Sequence, residues 1–266
     1  MNKSLLKLDI LGHSDPTQLR IIQMQSNTDI MKVPMDDKDT MSIFTSTEAL
    51  GVTKEQIMCN TGTLGIPEFG TSFTIKLVED TKPTTFGELI KIAGLSHGTD
   101  VWLGNAQELI RNNIVPFKET IGCRDDIMVY LMNKGMAPIK AFKIMEFVRK
   151  GKATKDPETW KSHVETMKAA NIPEWYIESC HKIKYMFPKA HAAAYVMSAF
   201  RIAWYKVHMP VYFYASWLTS KATDVDVEVM IQGYDAIKKR ILDIQGKGYD
   251  ATNKEMGQLE SLKVCL

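Results

Sequence analysis

Apolar and polar residues alternate at the start of the chain. Leu6, Leu8 and Ile10 fall on one side, with Lys7, Asp9 and Leu11 on the other, a period that predicts a short strand ended by Gly12. Asp15-Pro16 then predicts an N-cap and first helical position, opening a helix through Leu19 and Ile22. Beyond it the period turns helical. Thr85-Phe86-Gly87-Glu88 is a capping-box pattern before Leu89, Ile90 and Ile92, with Gly94 as the expected stop. Pro138 opens a segment carrying Ile139, Phe142, Met145 and Val148, closed by Gly151. Asp156-Pro157 opens another with Trp160, Val164 and Met167, and Pro173 a third with Tyr176, Ile177 and Cys180. Val196, Phe200, Ala203 and Val207 mark a longer helix ending before Pro210, and an amphipathic segment runs from Asp226 to Ile244. Residues 26–84 mix Gly, Pro, Thr and Asp with short apolar pieces, which predicts short helices in a loop-rich region. The fold class that follows is mainly α, with one short N-terminal strand.

Composition narrows this picture without redirecting it. A length of 266 residues suits about one to two domains. Hydrophobic residues at 45% and charged residues at 24% exclude disorder, collagen and coiled coil. Against 33 basic residues stand 31 acidic ones, so the chain as a whole does not seek polyanions, although a local basic groove remains open. Sixteen Met lean towards helical cores. No apolar run reaches the ~18–20 residues of a membrane span, and Lys7 and Asp9 interrupt the N-terminal apolar patch, against a signal peptide. Four Cys (59, 123, 180, 265) stand singly, which fits a reduced, cytoplasmic protein rather than a disulfide framework or zinc site. The pattern stops at Leu266 without Gly, Pro or a capping residue, so a fragment is expected.

Several residues could carry chemistry. A strand-borne carboxylate at Asp9 suits Mg²⁺, a hard ion that takes carboxylate oxygens; by spacing alone, pairing with Lys7 in water is favoured. Lys189 and His191 lie just inside a helix start after Pro188, where free N–H groups attract phosphate, and Tyr195 one turn on can stack a base. A packed Ala-rich helix with solvated Lys189 and His191 is the equal alternative. Arg124 offers a bidentate fork, or a surface ion pair with Asp125 or Asp126. His97 is a polar loop tip, or a donor to substrate if that loop borders a cleft. Basic sets at Lys140, Lys143, Arg149, Lys150, Lys152 and Lys155, at Lys182, Lys184 and Lys189, and at Lys238, Lys239 and Arg240 suit a nucleic-acid backbone or a solvated helix face equally. The Trp residues read as packing. Neither a P-loop nor G-x-G-x-x-G is present, and Gly62–Thr71 reads as a turn-rich loop.

Five stretches together resemble one family: Lys7–His13 with Asp15-Pro16-Thr17, Gly62–Thr71, Leu95–Leu103, Gly122-Cys123-Arg124-Asp125-Asp126, and Phe187–Tyr195. They are similar, in order and across nearly the whole chain, to PolC-type DNA polymerase III α subunits of the family C replicative polymerases. The resemblance implies the end of the palm over residues 1–25 and a fingers domain over 26–266, cut before a helix-hairpin-helix duplex-binding region. It implies template-directed nucleotidyl transfer from dNTP to a primer 3′-hydroxyl, with Asp9 as the third of three palm aspartates holding two Mg²⁺ ions. The other two belong to an upstream Pro-Asp-Ile-Asp-like motif that this chain lacks, so the chain alone is expected to be inactive. By the same resemblance Arg124, Lys189, His191, Tyr195 and His97 bind nucleotide, and Lys182, Lys184, Lys140 and Lys143 bind DNA. The implied partners are primer-template DNA, dNTP, the remaining palm and thumb, and a sliding clamp and replisome proteins through regions absent here; no membrane is implied. Two departures stand out. Ser14 replaces a second acidic residue before Asp15, and Lys76 follows Ile75 where relatives carry Arg near that position. A non-catalytic nucleic-acid or nucleotide-binding helical module is the alternative.

Overall fold

Caps and prolines set where the helices begin. The computed structural model describes residues 13–266, so the strand expected over residues 6–11, and Asp9 on it, lie outside the described residues. The longer helices are α1 Asp15–Ser26, α2 Ser72–Thr81, α3 Phe86–His97, α4 Arg124–Asn133, α5 Pro138–Val148 and α6 Pro157–Ala169. They continue with α7 Glu174–Lys182, α8 Lys189–His208, α9 Pro210–Ser220, α10 Tyr234–Lys247 and α11 Asn253–Cys265. Short helices at Lys38–Ser42, Glu48–Leu50 and Lys54–Ile57 fill the loop-rich stretch. Among the described residues the one strand-like pairing is an isolated antiparallel bridge between Thr99 and Tyr185. The fold is mainly α. No described helix is long and apolar enough to cross a membrane.

The α3 cap is the expected box: the Thr85 hydroxyl accepts from Glu88 N–H at 3.3 Å, and the Glu88 carboxylate accepts from Thr85 N–H at 3.1 Å. Thr85→Ala is expected to cost about 1 kcal/mol, read as a lowered thermal unfolding midpoint; an unchanged midpoint would contradict it. Asp156 likewise caps α6, accepting from Thr159 N–H at 3.1 Å.

Four expectations need correction. Gly94 does not stop α3, which runs on to His97, so His97 sits in a last helical turn rather than at a loop tip. Its missing side chain serves packing instead, since a Cβ there would lie 2.5 Å from both Cys123 Sγ and the Gly122 carbonyl. Ile139 and Phe142 are exposed; α5 buries Ala141, Ile144, Met145, Phe147 and Val148. Ser14, not Asp15, occupies the α1 cap position, without a side-chain cap bond. Asp15 is the first helical residue, only 1% exposed, and its buried carboxylate pairs with Lys221. The 226–244 segment is not one helix: a short turn at Val227–Met230 ends before Gly233, whose φ of 88° separates it from α10.

The chain divides into two compact units, residues 34–200 and the described residues 13–33 with Arg201–Leu266. In the second, α1 lies on α9, joined by Gln18 to Ser216 at 3.4 Å, and α10 and α11 close over Ile237, Ile241, Ile244, Leu259 and Leu262. In the first, Phe44, Phe69 and Phe200 pack together, with Phe44 and Phe69 edge to face at 4.9 Å. That core carries the Gly-rich stretch on one side.

Candidate functional site

Two helix starts are fastened to each other in the 34–200 unit. The Asp125 carboxylate, in the first turn of α4, accepts from the backbone N–H of Lys189 at 2.6 Å, and Arg124 N–H donates to the Phe187 carbonyl at 3.1 Å. Asp126 sits behind them. Its Oδ2 accepts from Gly122 and Cys123 N–H at 3.0 and 3.1 Å, and its Oδ1 lies 3.4 Å from Lys189 Nζ. Carboxylates suit this place because the first N–H groups of a helix lack intrahelical partners and the dipole is positive there. Lys91 braces the rear, donating to the Lys118 and Thr120 carbonyls at 2.7 and 2.6 Å, and burial pushes its pKa down against the pull of Asp126.

Arg124 is held loosely. Its guanidinium comes no closer than 3.9 Å to the Asp125 and Glu146 carboxylates, and its Nε is buried without a hydrogen-bond partner. Glu146 is committed elsewhere, to Arg149 and to Lys150 at 2.9 Å, and the bond from Arg149 holds its pKa down at about 2. Arg124 and Lys189 thus bring a guanidinium and an ammonium to the two fastened helix starts.

An aromatic row runs alongside. The His97 ring meets Phe187 edge-on at 5.6 Å, Phe187 stacks on His191 at 5.0 Å, and His191 lies 4.5 Å from Tyr195 one turn further along α8. Tyr185 closes the row against Phe187 at 5.4 Å. The Thr99–Tyr185 bridge brings the row to the end of α3, with Thr99 N–H donating to the Tyr185 carbonyl at 2.9 Å. His97 has both nitrogens engaged: Nε2 lies 2.6 Å from Glu68, and Nδ1 lies 2.8 Å from the Ala93 carbonyl. Its bond to Glu68 raises its pKa above the ordinary 6.5, against the effect of burial.

The structure therefore brings together Arg124, His97 and the helix residues Lys189, His191 and Tyr195, from three separate stretches of the sequence. Lys182 and Lys184 are exposed but engaged, Lys182 with the Gly104 carbonyl at 2.8 Å and Lys184 with Asp100 at 2.6 Å. Lys140 and Lys143 are exposed on α5. Sequence reasoning missed Glu68, Asp125, Asp126 and Phe187 as parts of this place. The available signal was modest: a carboxylate inside a Gly-rich turn, and an acidic pair in the first turn of a helix.

Comparison with known proteins gives a consistent result. A family model for the finger domain of the bacterial DNA polymerase III alpha subunit matches residues 15–171. The PolC-type DNA polymerase III of Oceanobacillus iheyensis is 59% identical over 266 residues, covering 100% of this chain and 18% of that protein. That of Bacillus subtilis is also 59% identical with the same coverage, and that of Staphylococcus haemolyticus is 55% identical over 99% of this chain and 18% of its own length. The chain thus spans about a fifth of the curated relatives it matches.

Proposed function

This chain belongs to the finger-domain family of bacterial DNA polymerase III alpha subunits, and on that premise we propose that it receives the incoming dNTP in a replicative DNA polymerase. The observation that carries the reading is the half-buried Arg124 guanidinium, no closer than 3.9 Å to the Asp125 and Glu146 carboxylates, on the helix start that is fastened to the start of α8 at Lys189. A guanidinium that no carboxylate engages closely keeps its terminal N–H groups for an anion. A triphosphate has the charge and the acceptors to engage them.

The residues divide the work by chemistry. Arg124 supplies a bidentate fork, Lys189 a mobile charge, and His191 a donor to the phosphates. Tyr195, one turn beyond His191 in the aromatic row, stacks on the nascent base pair, and His97 joins the set through its ring contact with Phe187. Lys140, Lys143, Lys182 and Lys184 contact the primer-template backbone. Residues 1–25 finish the palm and 26–266 form the fingers, with the remaining palm, the thumb and a sliding clamp as partners. In the reaction the primer 3′-hydroxyl oxygen bonds to the α-phosphorus as the α–β phosphoanhydride bond breaks, so that pyrophosphate leaves and the hydroxyl proton passes to solvent. Mg²⁺ would be held by Asp9 with carboxylates upstream of this chain, and when bound it stabilises the charge on the phosphates. The isolated chain is inactive on this reading.

Arg124→Lys in the complete polymerase tests it. Lysine keeps the charge and loses the fork, so the dNTP KM is expected to rise about tenfold with primer-template affinity unchanged. A parental KM would overturn the assignment of Arg124.

A further inference from the structure

Glu68 sits in the Gly-rich stretch at a φ of 68°, a left-handed conformation that favours glycine. Its neighbours explain how it is held there. Ile66 and Phe69 are buried, and Phe69 and Gly70 N–H both donate to the Ile66 carbonyl, at 3.3 and 2.9 Å. The turn is anchored on both sides of a residue whose backbone would be at lower energy as glycine. The carboxylate carried at this strained position has a specific partner.

That carboxylate meets His97 Nε2 at 2.6 Å. The other ring nitrogen faces the Ala93 carbonyl at 2.8 Å, and the Ser96 hydroxyl, 2.9 Å from the same nitrogen, is itself within bonding distance of that carbonyl at 3.1 Å. With one nitrogen against a carboxylate and the other against a carbonyl, the ring is held at both ends and its orientation is fixed. The His97 ring in turn meets Phe187, the residue stacked on His191, in an edge-to-face contact.

We infer that Glu68 is a positioning residue for nucleotide binding: it locks His97, and through the edge-to-face contact of the His97 and Phe187 rings it sets Phe187 and the His191–Tyr195 face on which the nucleotide rests. The inference rests on the dNTP site proposed above. Glu68 itself touches neither base nor phosphate. It acts as the second partner that fixes a ring, and it couples the Gly-rich turn to the end of α3 and the start of α8.

The test uses steady-state single-nucleotide incorporation by the complete polymerase, with Glu68→Gly, Glu68→Gln, His97→Gln and the Glu68→Gln/His97→Gln pair. Glu68→Gly removes the carboxylate while suiting the left-handed backbone, so the strain relieved offsets the ion pair lost and the thermal unfolding midpoint should change little. The dNTP KM is expected to rise about tenfold, a larger change than in kcat, and the double variant should be no worse than His97→Gln alone. A parental KM for Glu68→Gly, additive losses in the pair, or equal losses in kcat and unfolding midpoint would each overturn the role. Lys189→Ala, assayed in parallel, separates the two levels. If it raises the KM and Glu68→Gly does not, the positioning role alone falls; if neither moves it, the dNTP site falls as well.

Discussion

Lys189→Ala in the complete polymerase is expected to lower kcat/KM for nucleotide addition by about a hundredfold, the loss of a charge-assisted hydrogen bond at the reacting triphosphate. The substitution isolates the charge well. Alanine is the best helix former and Pro188 still precedes the helix, so α8 keeps its start. The bond from residue 189 N–H to Asp125 is made by the backbone and survives. Asp126 loses one cation but keeps the Gly122 and Cys123 amides and Lys91 at 3.9 Å. What disappears is an exposed ammonium, held only at 3.4 Å from Asp126 and so able to turn to a stronger anion. Primer-template affinity, measured by anisotropy, should stay within about twofold, since one exposed lysine among several carries little of a backbone contact. A kcat/KM within a few-fold of the parent would remove Lys189 from the triphosphate path.

How much of this was legible in the sequence depends on whether the signal was local. The Thr85–Glu88 box and the Asp156-Pro157 start are short-range chemistry, and both helices begin where those residues predict. Glycine was harder to read. Gly94 and Gly151 look alike in sequence, yet one sits inside α3 to let Cys123 approach and the other follows α5 in a left-handed turn. The α5 stripe was misread for a geometric reason. Steps of three residues drift by about 60° each on a 3.6-residue helix, so Ile139 and Val148 lie on opposite faces. Ala141, Ile144, Met145 and Val148 follow the mixed three-and-four spacing that stays on one side.

The candidate site was legible one residue at a time and not as a place. Arg124 beside two aspartates reads as a local ion pair, but the Asp125 carboxylate serves the start of α8, 64 residues away, and leaves the guanidinium at 3.9 Å. His97 reads as a loop residue until α3 is seen to run through Gly94. No periodicity links residues 68, 97, 124 and 187–195, because they meet through one bridge and a few close backbone approaches. The family resemblance grouped them in advance, but it offered no role for Glu68.

Gly151→Ala is the substitution expected to damage the scaffold most. Its φ is +62°, and an added Cβ would lie 2.3 Å from the Lys184 carbonyl oxygen and 2.8 Å from the Lys184 Cα. Both are backbone atoms and cannot swing aside, so the strain of the left-handed conformation and the overlap add to about 3 kcal/mol or more. Gly135→Ala is the internal control. Its φ is +85° with nothing within 4 Å of the added atom, so it carries the conformational cost alone, about 1 kcal/mol. The gap between their unfolding midpoints therefore measures the contact with Lys184. That contact matters beyond stability, because Met186 N–H donates to the Arg149 carbonyl at 3.2 Å and the next residue is Phe187. Pushing Lys184 outwards shifts the backbone on which the aromatic row is built, so Gly151→Ala should raise the dNTP KM of the surviving folded enzyme while Gly135→Ala leaves it unchanged. Equal midpoints and equal KM values for the two variants would show that the Gly151 approach neither supports the unit nor positions Phe187.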